Sequence, residues 1–183
     1  MKERIHHKYE MENTYKKLND AGNVLIKGLQ DTLEAQKHNA TNALSNSFKK
    51  DRKQKSLTLN VITNKKYWKI VNNGKAAFKP NVDEIEKWVA AKGLKGSGSS
   101  GSPSTMQQRG IALRIAKNIQ RKGIPSKPYV VWTEGNNLKR TDFAGVTKEK
   151  KKNEVAEELS TGVVKDVISM IRSEIKRNTT IKK

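Results

Sequence analysis

The sequence predicts an α+β protein in which a small, mainly antiparallel sheet packs against two long and two short helices. Two long segments repeat apolar residues every three or four positions, which is the spacing of one helix face. Two shorter segments begin with helix-capping residues, and other runs of alternating or β-branched residues are typical of strands. Clusters of glycine, proline and asparagine separate these segments and indicate turns.

The first half of the chain predicts one long helix followed by two strands. Apolar residues recur at helical spacing over Thr14–Phe48, and the basic run 49–55 would end this helix because cations oppose its negative end. Residues 56–62 alternate between apolar and polar, as in a strand with one buried face. A second strand over 66–71 would pair with the first through a hairpin turn at 63–65.

Capping pairs predict the two short helices. Asn81 precedes Glu84 by three residues, which indicates a helix start, and Gly93 would end that helix. Thr105 and Gln108 repeat the same spacing at the start of the next helix. Both helices carry one apolar stripe, so each is predicted to cover the sheet.

The last third of the chain predicts a strand and a long helix. The run 129–133 is aromatic and β-branched and forms the third strand. Residues 134–152 are polar and basic with turn signals, and are interpreted as a connecting segment. From Val155 apolar residues follow at steps of four, which predicts a long amphipathic helix to about Asn178.

The domain organisation follows from these segments. Residues 1–13 are interpreted as a flexible basic arm, 14–178 as a single α+β domain, and 179–183 as a basic tail. The Gly/Ser-rich stretch 95–105 is interpreted as a loop inside that domain, because each flanking half holds too few apolar residues to fold alone. A domain boundary and an engineered linker are the alternatives.

The composition limits the possible functions. The 183 residues include 38 Lys and Arg against 18 Asp and Glu, a net charge of +20 that predicts an acidic partner such as nucleic acid or acidic protein. Hydrophobic residues make up 34% of the chain, so the core is modest and part of the apolar surface is expected to be buried against other subunits. The absence of cysteine excludes disulfides and thiolate metal sites. No apolar run reaches the length of a membrane span, and the start of the chain lacks the apolar stretch of a signal peptide.

The residues that carry enzyme chemistry are missing from the sequence. It contains no phosphate-binding glycine motif, no zinc-protease motif and no set of serine, histidine and aspartate. The triplet Glu149, Lys150, Lys151 is similar to part of a nuclease site, but it lies in a charged segment without a partner strand. We therefore expect no enzymatic activity, no metal and no cofactor.

One stretch resembles a known family. Residues 66–93 read YWKIVNNG, then a proline-containing loop, then IEKWVAAKGL. This pattern resembles the neck and tail-completion proteins of tailed bacteriophages, the minor-tail group at the head–tail junction. In that family many members carry an acidic residue and an aromatic before the first glycine of this stretch, where Asn72 and Asn73 stand here.

The resemblance extends over 14–178 through spaced single residues. A family turn of the form GI-x-x-x-P-[YF] is matched by Gly123, Ile124, Pro128 and Tyr129. The family implies a non-enzymatic virion protein, made in the host cytoplasm and located in the neck or tail. It implies a ring of six or twelve copies around the DNA channel, in contact with portal or adaptor and tail proteins, with non-specific DNA contact and no membrane. The alternative is a non-enzymatic, basic nucleic-acid-binding module that works as a monomer or dimer.

Two groups of side chains are candidate contact residues under either interpretation. Clustered cations would meet DNA phosphates or an acidic partner, although such runs are also common on solvated faces. The tryptophans and one tyrosine would anchor the core or a subunit interface. The cations are Lys49, Lys50, Arg52, Lys53, Lys55, Lys139, Arg140, Lys148, Lys150, Lys151 and Lys152. The aromatic residues are Trp68, Trp88, Trp132 and Tyr129.

Overall fold

A computed structural model describes residues 11–36, 38, 41–53, 56–95, 104–124, 130–133, 136–139 and 142–180. In these ranges the chain is mostly helical with short antiparallel strands, so the predicted α+β class is confirmed. The helices are α1 (Glu12–Ala35), α2 (Trp68–Asn73), α3 (Val82–Ala91), α4 (Thr105–Lys122) and α5 (Phe143–Thr180), with a 3₁₀ turn at Ser45–Ser47. The strands are β1 (Lys49–Asp51), β2 (Asn60–Ile62), β3 (Val130–Thr133) and β4 (Asn136–Lys139).

The described residues fall into two compact units. Unit 1 combines segments from Met1–Gly28, Lys49–Ile62 and Lys148–Lys183. Unit 2 combines Leu29–Phe48 with Thr63–Thr147. The interpretation of 14–178 as a single domain stays a prediction.

The long N-terminal helix is shorter than the sequence predicts. Helix α1 ends at Ala35, whereas the apolar pattern predicts a helix to Phe48. Beyond this end, Asn42 has φ +55, a left-handed conformation that is incompatible with a continuous helix to Phe48 and that asparagine tolerates better than most residues. The apolar residues Leu44 and Phe48 nevertheless pack inward, which explains the continued apolar pattern.

The predicted hairpin between 56–62 and 66–71 is wrong. In unit 1, β2 pairs antiparallel with the preceding segment, β1, and Lys50 lies opposite Val61. The basic run after residue 48 therefore begins with a strand rather than ending a helix. The side chain of Leu59 approaches Gly22 so closely that a Cβ on this glycine would lie 2.8 Å from it. The contact of Leu59 with α1 thus favours the pairing of β2 with β1, which the local sequence does not specify.

The predicted strand over 66–71 is a helix in unit 2. Trp68 and Val71, three residues apart, pack on the same core, as residues on one side of a helical turn do. The side-chain oxygen of Asn72 accepts a hydrogen bond from Ala144 N at 2.8 Å, and its carbonyl accepts one from Asp142 N. These bonds connect the end of α2 to the start of α5 and favour the helical turn over an extended strand.

The core of unit 2 gathers around the first residue of α5. Phe143 is 1% exposed and Leu33 is fully buried, with Leu44 beside them. The rings of Phe48 and Phe143 lie 6.2 Å apart between centroids, a tilted aromatic contact. The sequence pattern places Phe143 in a polar connecting segment, which is wrong: that segment contains β4 and the first turns of α5.

Helices α3 and α4 pack together, and their ends follow local chemistry. Asn81 caps α3 by accepting a hydrogen bond from Asp83 N at 2.9 Å, so the predicted helix start is confirmed. Helix α4 has a capping box, but it is formed by Ser104 and Gln107, one residue before the predicted pair. Gly123 ends α4 with φ +75.

The remaining strands form a separate two-stranded sheet. β3 pairs antiparallel with β4, with Val130 opposite Lys139 and Thr133 opposite Asn136. The predicted third strand is confirmed from Val130 onward, whereas its partner arises from the segment interpreted as polar connection. The predicted C-terminal helix is confirmed and is longer at its start than the pattern indicates.

Candidate assembly surface

Helices α1 and α5 approach each other closely in unit 1. A Cβ on Gly162 would lie 2.9 Å from the carbonyl oxygen of Asn13 and from Cα of Thr14. Both neighbours are backbone atoms and have little room to move, so only glycine fits this position. Gly162 therefore fixes which side of α5 lies against α1.

Asp166, one turn further along α5, caps the start of α1. Its carboxylate accepts hydrogen bonds from the backbone N–H groups of Asn13 and Thr14, at 3.1 and 2.7 Å. It also accepts from Asn13 Nδ2 at 2.9 Å and Thr14 Oγ1 at 2.6 Å. These backbone donors belong to the first turn of α1, where N–H groups lack partners within the helix and negative charge is favoured. The buried Asp166 thus joins the two helices by a charge-assisted cap.

The electrostatics of this cap favour the ionised carboxylate. Burial raises the pKa of Asp166, but the hydrogen bonds from Thr14 and Asn13 outweigh burial and hold the pKa below its usual 3.8. Lys17 and Glu158 add an ion pair at 2.6 Å between the same two helices. The contact of α5 with the start of α1 therefore uses a glycine and charged side chains.

The apolar side of α5 is left exposed as a result. Six β-branched residues in its C-terminal half are each between 40% and 59% exposed. They span twelve helical steps, about 18 Å along the helix. We call them the α5 face. They are Val163, Val164, Val167, Ile168, Ile171 and Ile175.

Basic residues follow one edge of the α5 face. Lys165, Arg172 and Lys176 are exposed and line a shallow groove that also includes Ile168. On a helix with 3.6 residues per turn, these three cations fall on one narrow ribbon beside Ile168. We call this ribbon the basic edge. A solvent-exposed apolar surface with a charged rim is the usual anatomy of a protein interface.

The candidate cations from the sequence are found on or directly after β1, on β4 and on α5 in the described residues. Lys49 and Lys50 lie on β1, where Lys50 Nζ reaches the carbonyl of Asn19 at 3.4 Å. The Arg52 guanidinium lies 5.1 Å from the ring centroid of Tyr15. Lys53 follows it and is exposed.

The other candidate cations lie on α5 or outside the description. Lys148 and Lys150 are exposed on α5, while Lys151 pairs with Glu154 at 2.6 Å and Lys152 with Glu149 at 2.9 Å. Lys139 is described only in its backbone pairing with Val130. Lys55 and Arg140 lie outside the described residues.

The candidate aromatic residues divide between core and surface. Trp68 packs against the core of unit 2. Trp88 on α3 is 41% exposed, so it is available at the surface of this unit. Trp132 is described only in its backbone pairing with Asn137, and Tyr129 lies outside the described residues.

The described residues include the nuclease-like triplet and can be searched for a metal site and a membrane-spanning helix. No group of three histidine, cysteine, aspartate or glutamate side chains is placed there to hold a metal ion. The triplet from Glu149 to Lys151 lies on α5, not on a strand. None of the described helices is long and apolar enough to cross a membrane.

Comparison with known families identifies a bacteriophage likeness. The family model described as "Bacteriophage HK97-gp10, putative tail-component" matches residues 12–74, from α1 through α2. The resemblance to phage neck and tail proteins that the sequence predicts is confirmed over this segment. The match supports a structural tail component that is located in the virion and contacts other phage structural proteins. Comparisons with curated proteins and with solved structures yield no match.

The sequence pattern indicates the apolar stripe of α5 but not that this stripe is exposed. Apolar residues at steps of four are usually buried, so they predict a core-facing stripe. Gly162 and Asp166, on another side of the helix, argue against a core-facing apolar stripe. A small residue and an acidic residue four positions apart mark the side that meets the start of α1.

Proposed function

We propose that this protein is a ring-forming virion subunit at the phage head–tail junction, in the neck or as a tail-completion protein. The observation that carries the proposal is the exposed α5 face, because such a surface needs a protein partner. The family match over residues 12–74 supports a phage particle as the place where that partner is found. Portal or adaptor proteins and tail proteins are the neighbours we expect on either side of the ring, and we propose no enzymatic activity.

The size of the α5 face indicates how the ring would assemble. Fully burying one valine or isoleucine contributes about 1.5–3 kcal/mol, so completing the burial of six half-exposed residues contributes on the order of 5 kcal/mol. Association of two proteins costs roughly 4–15 kcal/mol in lost freedom of motion. The α5 face alone therefore supports weak association, and neighbours in the particle would have to stabilise a ring.

The proposal predicts a defined number of copies in the virus. Peptide mass spectrometry with quantitative stoichiometry on purified intact particles should find about six or twelve copies of the chain, the ring sizes that the resemblance to neck and tail-completion proteins implies. Hundreds of copies would instead indicate a capsid or tail-tube protein. Absence from the particles would contradict the proposed function.

The α5 face should also govern association of the purified protein. Replacing Ile171, which is 54% exposed, with aspartate is expected to abolish concentration-dependent association, because it places a charge in the middle of the apolar surface. The matched control is Gln120→Asp, which adds the same charge at an exposed position of α4 instead of α5. Light scattering coupled to size-exclusion chromatography measures both. Equal association of the two variants would contradict a role for the face.

Non-specific contact with DNA is a further part of the proposal. The net charge of +20 and the cations that begin at β1, with Arg52 over Tyr15, support phosphate contact. Changing Lys49, Lys50 and Lys53 together to glutamine should lower the slope of log K against log salt by about 2–3, at about 0.9 per phosphate contact. The same triple change at exposed cations of α4, Lys117, Arg121 and Lys122, is the control.

The salt titration also separates the two functional classes. A ring subunit should bind DNA weakly as a free chain and gain affinity on assembly. Tight binding by the free chain near physiological salt would favour the basic nucleic-acid-binding module instead. An unchanged slope in the β1 variant would remove these lysines from the contact.

A further inference from the structure

We propose that the α5 face of one copy docks on helix α3 of the next copy, with Trp88 as the anchor at the contact. This inference rests on the proposed function and specifies how neighbouring subunits meet. The occupant of the α5 face is thus a second copy of this chain. That copy contributes α3, whereas the first copy contributes α5, so the two copies use different surfaces. Such a contact is heterologous, the type that generates rings when its rotation closes.

The basic edge argues against pairing of two α5 faces. When two identical helices pair antiparallel, the same edge of each helix meets its copy. Lys165 and Arg172 of one copy would then lie opposite Arg172 and Lys165 of the other, and like charges placed together are unfavourable. Pairing in parallel avoids that repulsion, but the seam spans only about two heptads, too short for a typical coiled coil. The face therefore fits a partner whose apolar surface has carboxylates beside it.

Helix α3 has that chemistry. Its ten residues include three carboxylates and one lysine, the largest acidic excess among the five helices in the described ranges. Trp88 is 41% exposed on this helix. Glu84 lies four residues before Trp88, and therefore on the same side of α3. Tryptophan is also the residue type most often found at the energetic centre of an interface.

The existing ion pairs of α3 leave this side available. Arg109 of α4 pairs with Asp83 and Glu86. Among the described residues, Glu84 forms its ion pair with Lys87 on its own helix, at 2.8 Å, and both side chains are more than 60% exposed. Exposed pairs of this kind contribute little, so Glu84 can exchange Lys87 for a cation of the basic edge at small cost. Trp88 and Glu84 together match an apolar face with a basic rim.

A mixing experiment tests the heterologous contact directly. Ile171→Asp removes the α5 face and keeps α3, whereas Trp88→Lys removes the anchor on α3 and keeps α5. Each variant alone should remain monomeric, with the 20.6 kDa mass of one chain. An equimolar mixture should form a species of twice that mass and no larger one, because only one productive contact is left between them. Light scattering on the folded variants, checked by circular dichroism, gives the masses.

A charge exchange provides the second measurement and does not depend on the partly buried tryptophan. Glu84→Arg and Arg172→Glu should each weaken association of the full chain at least tenfold. Their equimolar mixture should regain association, because every contact between unlike copies then pairs opposite charges. The double variant, carrying both changes on every copy, should also recover the affinity of the unmodified chain. Lys117→Glu, an equal change of charge at an exposed position of α4, is the control for net charge alone and should not weaken association.

The outcomes separate the inference from the proposed function. A two-chain species in the first mixture, with recovery in the double charge variant, supports α5-on-α3 docking. If the unmodified chain associates but the mixture of Ile171→Asp and Trp88→Lys stays monomeric, the docking is overturned and the ring proposal is unaffected. An unmodified chain that stays monomeric up to about 1 mM also overturns it. Absence of the chain from virus particles would overturn the proposed function itself.

Discussion

Replacing Asp166 with alanine is expected to destabilise the contact of α1 with α5 by about 3 kcal/mol. The change removes a carboxylate that accepts four hydrogen bonds from Asn13 and Thr14 and leaves buried donors without a partner. Unit 1 contains none of the three tryptophans, so their fluorescence does not report on it. Hydrogen exchange of the first turns of α1 measures the effect, and it should accelerate about 100-fold.

Two further variants test the cause of that loss. Glu157→Ala changes an exposed carboxylate on α5 and should leave exchange in α1 unchanged. Asp166→Asn keeps the shape and some acceptor capacity, so its effect should be smaller than that of alanine. Slow exchange in Asp166→Ala would show that water or another group satisfies these donors, and would contradict the role of the cap.

The cap also predicts a dependence on pH. The pKa of Asp166 is lowered in the folded protein, so its carboxylate stabilises the fold at pH values above the unfolded value of about 3.9. This stabilisation is lost as the pH falls through the folded pKa. Between pH 7 and pH 3, protection of α1 should therefore fall more in the unmodified protein than in Asp166→Asn. An equal fall in both would mean that other groups dominate the acid sensitivity.

Replacing Phe143 with alanine should lower the free energy of unfolding of unit 2 by about 3–5 kcal/mol. The ring is 1% exposed and contacts Phe48 and the cluster around Leu33, so its removal combines lost burial with a cavity. All three tryptophans belong to unit 2, and Trp68 packs against the same cluster. Urea unfolding followed by tryptophan fluorescence therefore measures this change.

The control for Phe143 is an apolar residue of the same unit that lies at the surface. Met106 is 86% exposed at the start of α4, and its change to alanine should alter stability by less than about 0.5 kcal/mol. Similar urea midpoints for Phe143→Ala and the unmodified protein would contradict the assignment of Phe143 to the core.

Local patterns predicted the helices more accurately than the strands. The start of α3 at Asn81 depends on a hydrogen bond between neighbours in sequence, and the end of α4 on the conformational freedom of Gly123. The interval 66–71 was ambiguous by contrast, because a short apolar run fits a strand or a helix equally well. Contacts of Trp68 and Val71 with the core decided for the helix.

The candidate site was predicted only in part. Charge and composition indicated acidic or protein partners, but they did not indicate which cations are already engaged, such as Lys151 with Glu154 and Lys152 with Glu149. The apolar stripe of α5 was evident in the sequence, yet its exposure was not. A stripe of valine and isoleucine has the same spacing whether it meets the core, a neighbour or solvent.

The sequence by itself determined the α+β class, the basic character and the capped ends of the helices, since these depend on composition or on residues within one turn. The tertiary structure decided which segments pair as strands and which side of α5 is buried. Both depend on contacts between distant residues, such as Thr14 and Asp166, which lie 152 positions apart. Because Gly162 and Asp166 occupy the contact with α1, the six residues of the α5 face remain at the surface for a partner.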